Sequence, residues 1–155
     1  MTTPIALNNG NLTYVQMRQF AEIMPQELIF AAYRFLSYET LAPGPLKDAQ
    51  QAYYKGFGAI GVRPDIGQSL AWDPALIALN ALAHLPESAT PAQFRDYILG
   101  MRSFVGVNGL YNFSDGLQRG LTQNVCIVVR WSVAKQRWLQ VSAPGGKPLP
   151  LAGRT

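Results

Sequence analysis

The sequence predicts an α/β fold in which several helices pack on a small sheet and a β-hairpin closes the chain. Helix-spaced apolar residues lie between capping signals and prolines at several places along the chain. Two short apolar runs near the start have the composition of strands, and residues 105–141 are rich in β-branched and aromatic residues. Helices that alternate with or precede such strands indicate a mixed α/β architecture.

The elements follow one another with clear boundaries. The prolines Pro25 and Pro86 and the glycine Gly61 end helical patterns. The predicted elements are a strand at Pro4–Leu7, a helix from Asn11 or Thr13 to about Met24, a strand at Leu28–Phe35, and helices at Leu46–Ile60, Pro74–Leu85 and Thr90–Met101. Helix Pro74–Leu85 is apolar on nearly every face, so it needs cover on more than one side.

The last strands form the most informative stretch. Gly109, Tyr111 and Phe113 mark a glycine-punctuated aromatic strand that leads into an Asp115–Gly116 turn. Two further β-rich runs follow, with a polar corner at residues 134–136. Residues 143–155 are rich in proline and glycine, and we expect them to form a loose tail after a folded part that covers residues 1–142.

Composition bounds the class of protein. The chain has 155 residues, of which 48% are hydrophobic and 14% charged, which argues against disorder. The net charge is +4, but lysine and arginine are scattered, so we predict no nucleic-acid partner. No stretch approaches the ~20 consecutive apolar residues of a membrane helix.

The sequence offers no catalytic or metal-binding set. Cys126 is the one cysteine and lies within VCIVV, which is typical of a small buried residue. His84 is the one histidine and is interpreted as a residue at a helix end rather than a base. No nucleophile–base pair, carboxylate couple or Cys/His cluster stands out, so we predict a non-enzyme without metal or cofactor.

Two aspartates precede helix-like segments. Asp73, followed by Pro74, is interpreted as an N-cap rather than a catalytic carboxylate. The same interpretation applies to Asp65, which stands before a turn at Gly67. The glycine-rich stretch GVNGLYNF lacks the Lys-Ser/Thr ending of a phosphate-binding loop and does not open a helix.

In their order, these motifs resemble the end of type I periplasmic substrate-binding proteins of the branched-chain amino-acid receptor type. That family has a Tyr-Asp-Ala motif, which corresponds here to the segment Trp72-Asp73-Pro74. The other matching residues belong to the closing strands and are Gly106, Gly109, Tyr111, Phe113, Gly116 and Trp131. The resemblance covers about 140 residues and implies an incomplete fold, the C-terminal portion of a two-lobe receptor.

The resemblance also implies a function. A periplasmic receptor of this family delivers a small molecule to the membrane subunits of an ABC transporter. The ligand would be an amino acid, an amide or an aromatic acid, and the alternative is a ligand-sensing module of a receptor or regulator. The signal sequence of the precursor would be absent from this chain. Because strands and an apolar helix would lack their cover, we expect the isolated chain to form a homo-oligomer.

Loops at the carboxyl ends of strands carry the ligand-binding groups in folds of this kind. The first candidate loop contains Asn9, Gly10 and Asn11, whose amides suit a carboxylate or amide. It is equally typical of an ordinary turn. The second contains Tyr33 and Arg34, where the guanidinium can hold a carboxylate and the ring can cover an apolar group. The alternative there is a plain strand end with one solvated arginine.

Overall fold

The computed structural model describes residues 4–25, 27–116 and 118–149, which divide into two compact units. The first unit contains the described residues up to Leu41, Asp65–Gly67, and those from Gln123 onward; the second contains the rest. The strands are β1 Ile5–Leu7, β2 Leu28–Tyr33, β3 Phe104–Val105, β4 Leu110–Tyr111, β5 Cys126–Ser132 and β6 Arg137–Gln140. The helices are α1 Tyr14–Gln19, α2 Pro45–Gly58, α3 Ile66–His84 and α4 Pro91–Gly100. No helix in these ranges is both long and apolar enough to cross a membrane.

The first unit is built on a mixed sheet with the strand order β1-β2-β5-β6. Strands β1 and β2 are parallel, whereas β5 runs antiparallel to both β2 and β6. Burial alternates along β2 and β5, because every second side chain points to the covered face. The predicted hairpin is therefore present as β5 and β6, joined by the polar corner at residues 133–136.

Aromatic side chains form the core of this unit. Trp131 and Trp138 stand opposite each other in the hairpin, and their ring centroids are 4.9 Å apart. Tyr14 from α1 packs edge-on against Trp131 at 5.8 Å, and Phe30 from β2 packs against Trp138 at 5.3 Å. Such pairs contribute about 0.5–1.5 kcal/mol each beyond the area they bury. The cross-strand tryptophan pair thus fixes the register of the hairpin.

Two predicted elements of this unit are too long. Thr13 caps α1, as one of the two predictions had it, but the helix ends at Gln19 rather than near Met24. The residues beyond it include Phe20 and Ile23, which are 45% and 79% exposed, so little burial supports another turn. Strand β2 ends at Tyr33, and the chain continues as a 3-10 segment, Arg34–Thr40.

The second unit contains α2, most of α3, α4 and the small β3–β4 hairpin. Tyr53 from α2 is fully buried, and its ring lies 5.2 Å from that of Trp72 in α3. The predicted capping box of α4 is confirmed. Gln93 N–H donates to Thr90 Oγ1 at 3.3 Å, while Thr90 N–H donates to Gln93 Oε1 at 2.8 Å.

The prediction for α3 was wrong at its start. The helix begins at Ile66, so Asp73 and Pro74 lie inside it rather than at its N-terminus. The N-cap is Asp65, whose Oδ1 accepts the N–H of Gly67 at 3.1 Å. Pro74 has no backbone N–H and therefore removes one helical hydrogen bond, yet the helix continues through it to His84.

Burial along α3 follows a single stripe. Its buried residues are spaced by three or four positions and are Ile66, Ser69, Asp73, Ile77 and Ala81. The other faces expose large apolar side chains, including Leu79 at 60% and Leu82 at 63%.

Cys126 corrects another expectation, since it is exposed rather than buried. It opens β5, where the buried positions are Ile127, Val129 and Trp131. The two-residue period of the strand therefore puts Cys126 on the uncovered face.

Candidate ligand-binding edge

The structure brings the two predicted loops to one edge of the mixed sheet in the first unit. Strands β1 and β2 are parallel neighbours, in the register Ile5↔Leu28, Ala6↔Ile29 and Leu7↔Phe30. The loop that contains Asn9, Gly10 and Asn11 follows the carboxyl end of β1, while Tyr33 and Arg34 stand at the carboxyl end of β2. In open α/β sheets ligands bind beyond the carboxyl ends of parallel strands. We call these five residues the candidate ligand-binding edge.

The first loop is ordered by its own hydrogen bonds. Residues Asn9–Asn11 form a 3-10 turn, and the side-chain oxygen of Asn8 accepts the N–H of Gly10 at 3.0 Å. The Nδ2 group of Asn11 lies 3.5 Å from the same oxygen. A Cβ at position 10 would lie 3.2 Å from that oxygen, so a glycine here lets the turn close tightly. The exposed side chain of Asn9 is the group of this loop that is best placed to meet a ligand.

Arg34 is the distinctive residue of the edge. It opens the 3-10 segment that follows β2, and its side chain is partly buried. Desolvation by this burial lowers the pKa of its guanidinium below the usual value. Its Nε–H is buried and has no hydrogen-bond partner among the described residues. A buried donor left without an acceptor costs about 1–3 kcal/mol.

The segment that carries Arg34 is anchored to β6. The hydroxyl of Thr40 donates to Gln140 Oε1 at 2.9 Å, and the hydroxyl of Ser37 donates to the same oxygen at 3.3 Å. The hydroxyl of Ser37 also lies 3.4 Å from the backbone oxygen of Arg34. These contacts hold the arginine backbone in place, which is what a preorganised binding group requires.

The two aromatic residues that flank Arg34 differ in their surroundings. Tyr33 is half-buried at the end of β2, opposite Cys126 in the ladder with β5. Phe35 is fully buried, so it belongs to the core of the unit and is not open to a ligand. Of these two rings, only that of Tyr33 has the exposure that a ligand contact needs.

Asp73 and His84 both make hydrogen bonds within the fold. Asp73 is fully buried, and its carboxylate accepts hydrogen bonds from residues 107, 108 and 111. The Nδ1 of His84 lies 2.8 Å from the carbonyl oxygen of Asn80, and its ring stacks on Tyr97. Within residues 4–25, 27–116 and 118–149, no group of three or more His, Cys, Asp and Glu side chains could hold a metal ion.

Solved structures share this fold. An extracellular ligand-binding receptor from Rhodopseudomonas palustris HaA2 matches with a TM-score of 0.73 and 15% identity, over 91% of this chain and 41% of the receptor. The fold is that of part of an extracellular ligand-binding receptor. A second such receptor from the same organism matches with a TM-score of 0.72 and 20% identity, over 90% of this chain and 40% of the receptor. Rp1789 of Rhodopseudomonas palustris strain CGA009 matches with a TM-score of 0.72 and 14% identity, over 91% of this chain and 41% of its own.

These matches confirm the predicted resemblance to type I periplasmic substrate-binding proteins at the level of the fold. No protein-family model and no curated protein matches the sequence, so the likeness is one of structure. The chain spans about two-fifths of the length of the receptors it matches. At 14–20% identity the fold is shared, while the ligand-contacting residues must be argued from this chain itself.

Proposed function

We propose that this chain is part of an extracytoplasmic solute-binding protein that delivers a small molecule to an ABC transporter, and that the candidate ligand-binding edge contacts this solute. The observation that carries the proposal is the position of Arg34. A partly desolvated guanidinium, with an Nε–H that lacks an acceptor within the described part of the chain, stands at the carboxyl end of a parallel strand. The fold shared with extracellular ligand-binding receptors supports a role in solute binding.

The chemistry of the edge favours a ligand with a carboxylate. Arg34 supplies charge and directed donors, Asn9 and Asn11 supply neutral amides, and the ring of Tyr33 supplies an apolar surface. Aliphatic amino acids, amides and aromatic acids all fit this set. The part of the receptor beyond this chain would provide the opposite wall of the site.

The proposal is tested on the chain itself by solution NMR. The Nε–H of Arg34 and the backbone amides of residues 9–11 are followed while leucine, glutamine or benzoate is added. Because one wall of the site is missing, we expect a dissociation constant of about 1 mM, which corresponds to about −4 kcal/mol. At least one of the three probes should shift the Arg34 signal and the loop amides together.

The matched variants are Arg34→Ala, Asn9→Ala and the control Arg137→Ala, which removes an exposed arginine of β6. Arg34→Ala should abolish the shift of the backbone amides of residues 9–11. Asn9→Ala should weaken this shift, and the control should leave it intact. Asn9→Ala and Arg137→Ala should change the free energy of unfolding by no more than about 0.5 kcal/mol, as is usual for surface changes. If no probe moves these signals at about 50 mM, the assignment of the edge is wrong. A dissociation constant near ~1 μM would instead show that this chain already carries a complete site.

A further inference from the structure

The chain contains two Asn-Gly pairs, Asn9–Gly10 and Asn108–Gly109, whose surroundings differ. An asparagine before a glycine is prone to spontaneous deamidation, because a glycine has no side chain to hinder attack on the asparagine amide. The backbone nitrogen of the glycine gives up its proton and bonds to the side-chain carbonyl carbon of the asparagine. The side-chain nitrogen leaves with that proton as ammonia. Water then opens the cyclic imide to an aspartate or an isoaspartate, so the reaction needs a side chain that can turn and a site that water can enter.

The first pair meets both requirements. Asn9 lies in the 3-10 turn that follows β1, and its side chain is exposed and forms no hydrogen bond with another described residue. Gly10 is exposed as well. In the proposed receptor this turn faces the route by which a solute arrives from water, so we expect Asn9 to be accessible there too. The position of the pair at a solute site thus keeps it open to the reaction.

A hydrogen bond from Gly10 slows the reaction without preventing it. The backbone N–H of Gly10 donates to the side-chain oxygen of Asn8 at 3.0 Å. The same proton must be lost before the nitrogen can attack Asn9, so the turn has to release this bond first. We expect the bond to slow the reaction about two- to tenfold, the range that corresponds to ~0.5–1.5 kcal/mol for a net hydrogen bond.

The second pair is protected by its surroundings. Asn108 is only 4% exposed, so water has little access to its amide. Its Nδ2 group donates to the backbone oxygen of Ser69 at 2.9 Å and to Asp73 Oδ2 at 3.0 Å. Turning this side chain toward the nitrogen of Gly109 would break both hydrogen bonds in a buried site, which is costly. The chain therefore contains an internal control for the effect of structure on this chemistry.

We propose that Asn9 is a site of spontaneous deamidation, that Asn8 limits its rate, and that the product binds carboxylates less tightly. The effect on binding rests on the proposed function. Deamidation replaces a neutral amide of the candidate ligand-binding edge by a carboxylate, beyond the strand whose parallel neighbour leads to Arg34. A negative charge there repels an anionic ligand at the same edge. The affinity should fall up to about fivefold, on the scale of ~1 kcal/mol for two like charges a few Å apart in water.

Peptide mass spectrometry measures the reaction directly. The chain is incubated at mildly alkaline pH, and the small gain in mass at each asparagine is followed with time. A synthetic peptide with the sequence of residues 5–13 gives the rate in an unfolded chain. Native Asn9 should convert more slowly than the peptide, and Asn8→Ala should raise its rate about two- to tenfold. Gly10→Ala should lower the rate at least about tenfold because its methyl group hinders the attack, and Asn108 should stay unmodified.

Three results would overturn the proposed chemistry. The first is an Asn9 that stays unmodified while the peptide is fully converted. The second is conversion of Asn9 and Asn108 at equal rates, because their different surroundings would then have no effect. The third is an Asn8→Ala chain that reacts no faster than the native chain.

The effect on binding is measured with Asn9→Asp, which carries the aspartate product. In an NMR titration with benzoate this variant should bind about two- to fivefold more weakly than the native chain. The difference should shrink in high salt, since mobile ions screen exposed charges, whereas a purely structural effect would persist. Equal affinity of the two chains would overturn the effect on binding. A native chain without any response to carboxylates would instead contradict the proposed function, which the conversion rates do not test.

Discussion

The carboxylate of Asp73 offers the sharpest test of how the second unit is held together. Its Oδ1 accepts the N–H of Val107 at 2.7 Å. Its Oδ2 accepts the N–H of Asn108 at 2.9 Å, the Nδ2–H of Asn108 at 3.0 Å and the hydroxyl of Tyr111 at 2.9 Å. Asp73 thereby ties α3 to the loop and strand that follow β3. We predict that Asp73→Asn removes a large share of the stability of this unit.

The expected loss follows from counting donors. An asparagine must place an NH₂ group where one carboxylate oxygen now accepts. The less harmful orientation faces that group toward Val107 N–H, so one hydrogen bond is lost and two donors oppose each other in a buried site. An unsatisfied buried donor costs about 1–3 kcal/mol. The three remaining bonds lose their charge assistance, which makes charged hydrogen bonds roughly twice as strong as neutral ones. The sum is about 3–5 kcal/mol, against a total of about 5–15 kcal/mol for a typical domain.

The assay is urea unfolding followed by circular dichroism, which reports mainly on the helices. Tyr111→Phe removes one donor and should cost about 1.5 kcal/mol, so it stays measurable even if Asp73→Asn does not fold. Asp96→Asn, which changes an exposed aspartate of α4, is the matched control and should stay within about 0.5 kcal/mol of the native chain. A loss below about 1 kcal/mol for Asp73→Asn would refute the view that this carboxylate organises the unit.

Two further predictions follow from the local surroundings of single residues. Gly106→Ala should destabilise the chain by more than about 2 kcal/mol, since its Cβ would lie 2.6 Å from the carboxyl group of Asp73. A Cβ at position 100 would have no atom within 4 Å, so Gly100→Ala should raise the free energy of unfolding by about 0.5–1 kcal/mol. Urea unfolding of the pair checks both values, and equal effects would contradict the close approach at Gly106. Cys126 is exposed and should react completely with a thiol reagent in the native chain; a reaction that requires denaturant would contradict its placement.

Much of the fold could be predicted from local patterns. The hairpin of β5 and β6 follows from alternation and a polar corner, and α4 from a capping box that the structure reproduces. The limits of α1 could not be predicted, because helical spacing at Phe20 and Met24 says nothing about whether those side chains find cover. In this chain Phe20 is 45% exposed, and the helix stops before it. Helix ends depend on tertiary packing, which a single sequence does not show.

The role of Asp73 was hidden for a related reason. Asp73 precedes a proline, which is a common local pattern at the start of a helix. Asp65 is also a suitable N-cap residue, and it is the one that caps α3. The buried role of Asp73 depends on hydrogen bonds from Val107, Asn108 and Tyr111, which are more than thirty positions away in sequence. A residue-level signal did exist, since the spacing of Asp73, Ile77 and Ala81 is that of one helical face, but the N-cap interpretation of Asp73 left it unused.

The candidate site could be predicted only as far as its position on the sheet. Two loops rich in polar groups follow strands that were expected from composition, and the structure places those strands side by side in parallel. The desolvation of Arg34 depends on how the 3-10 segment packs, and the sequence left a plain strand end with a solvated arginine open as the alternative. Polar groups at a strand end therefore predict the position of a candidate site. Which of these groups is buried without a hydrogen-bond partner depends on tertiary packing.

Asp73 and Arg34 differ in whether their buried polar atoms have hydrogen-bond partners. Asp73 is fully buried and has every donor it needs, so its removal should cost stability. The Nε–H of Arg34 is buried without an acceptor among the residues described, so the chain gains little from it as it stands. Arg34→Met keeps the apolar stem and removes the unmet donor. We expect it to leave the free energy of unfolding unchanged or to raise it by up to about 1 kcal/mol, while the NMR response to carboxylates disappears. A loss of several kcal/mol in urea unfolding, with the carboxylate response retained, would show that Arg34 serves the fold rather than a ligand.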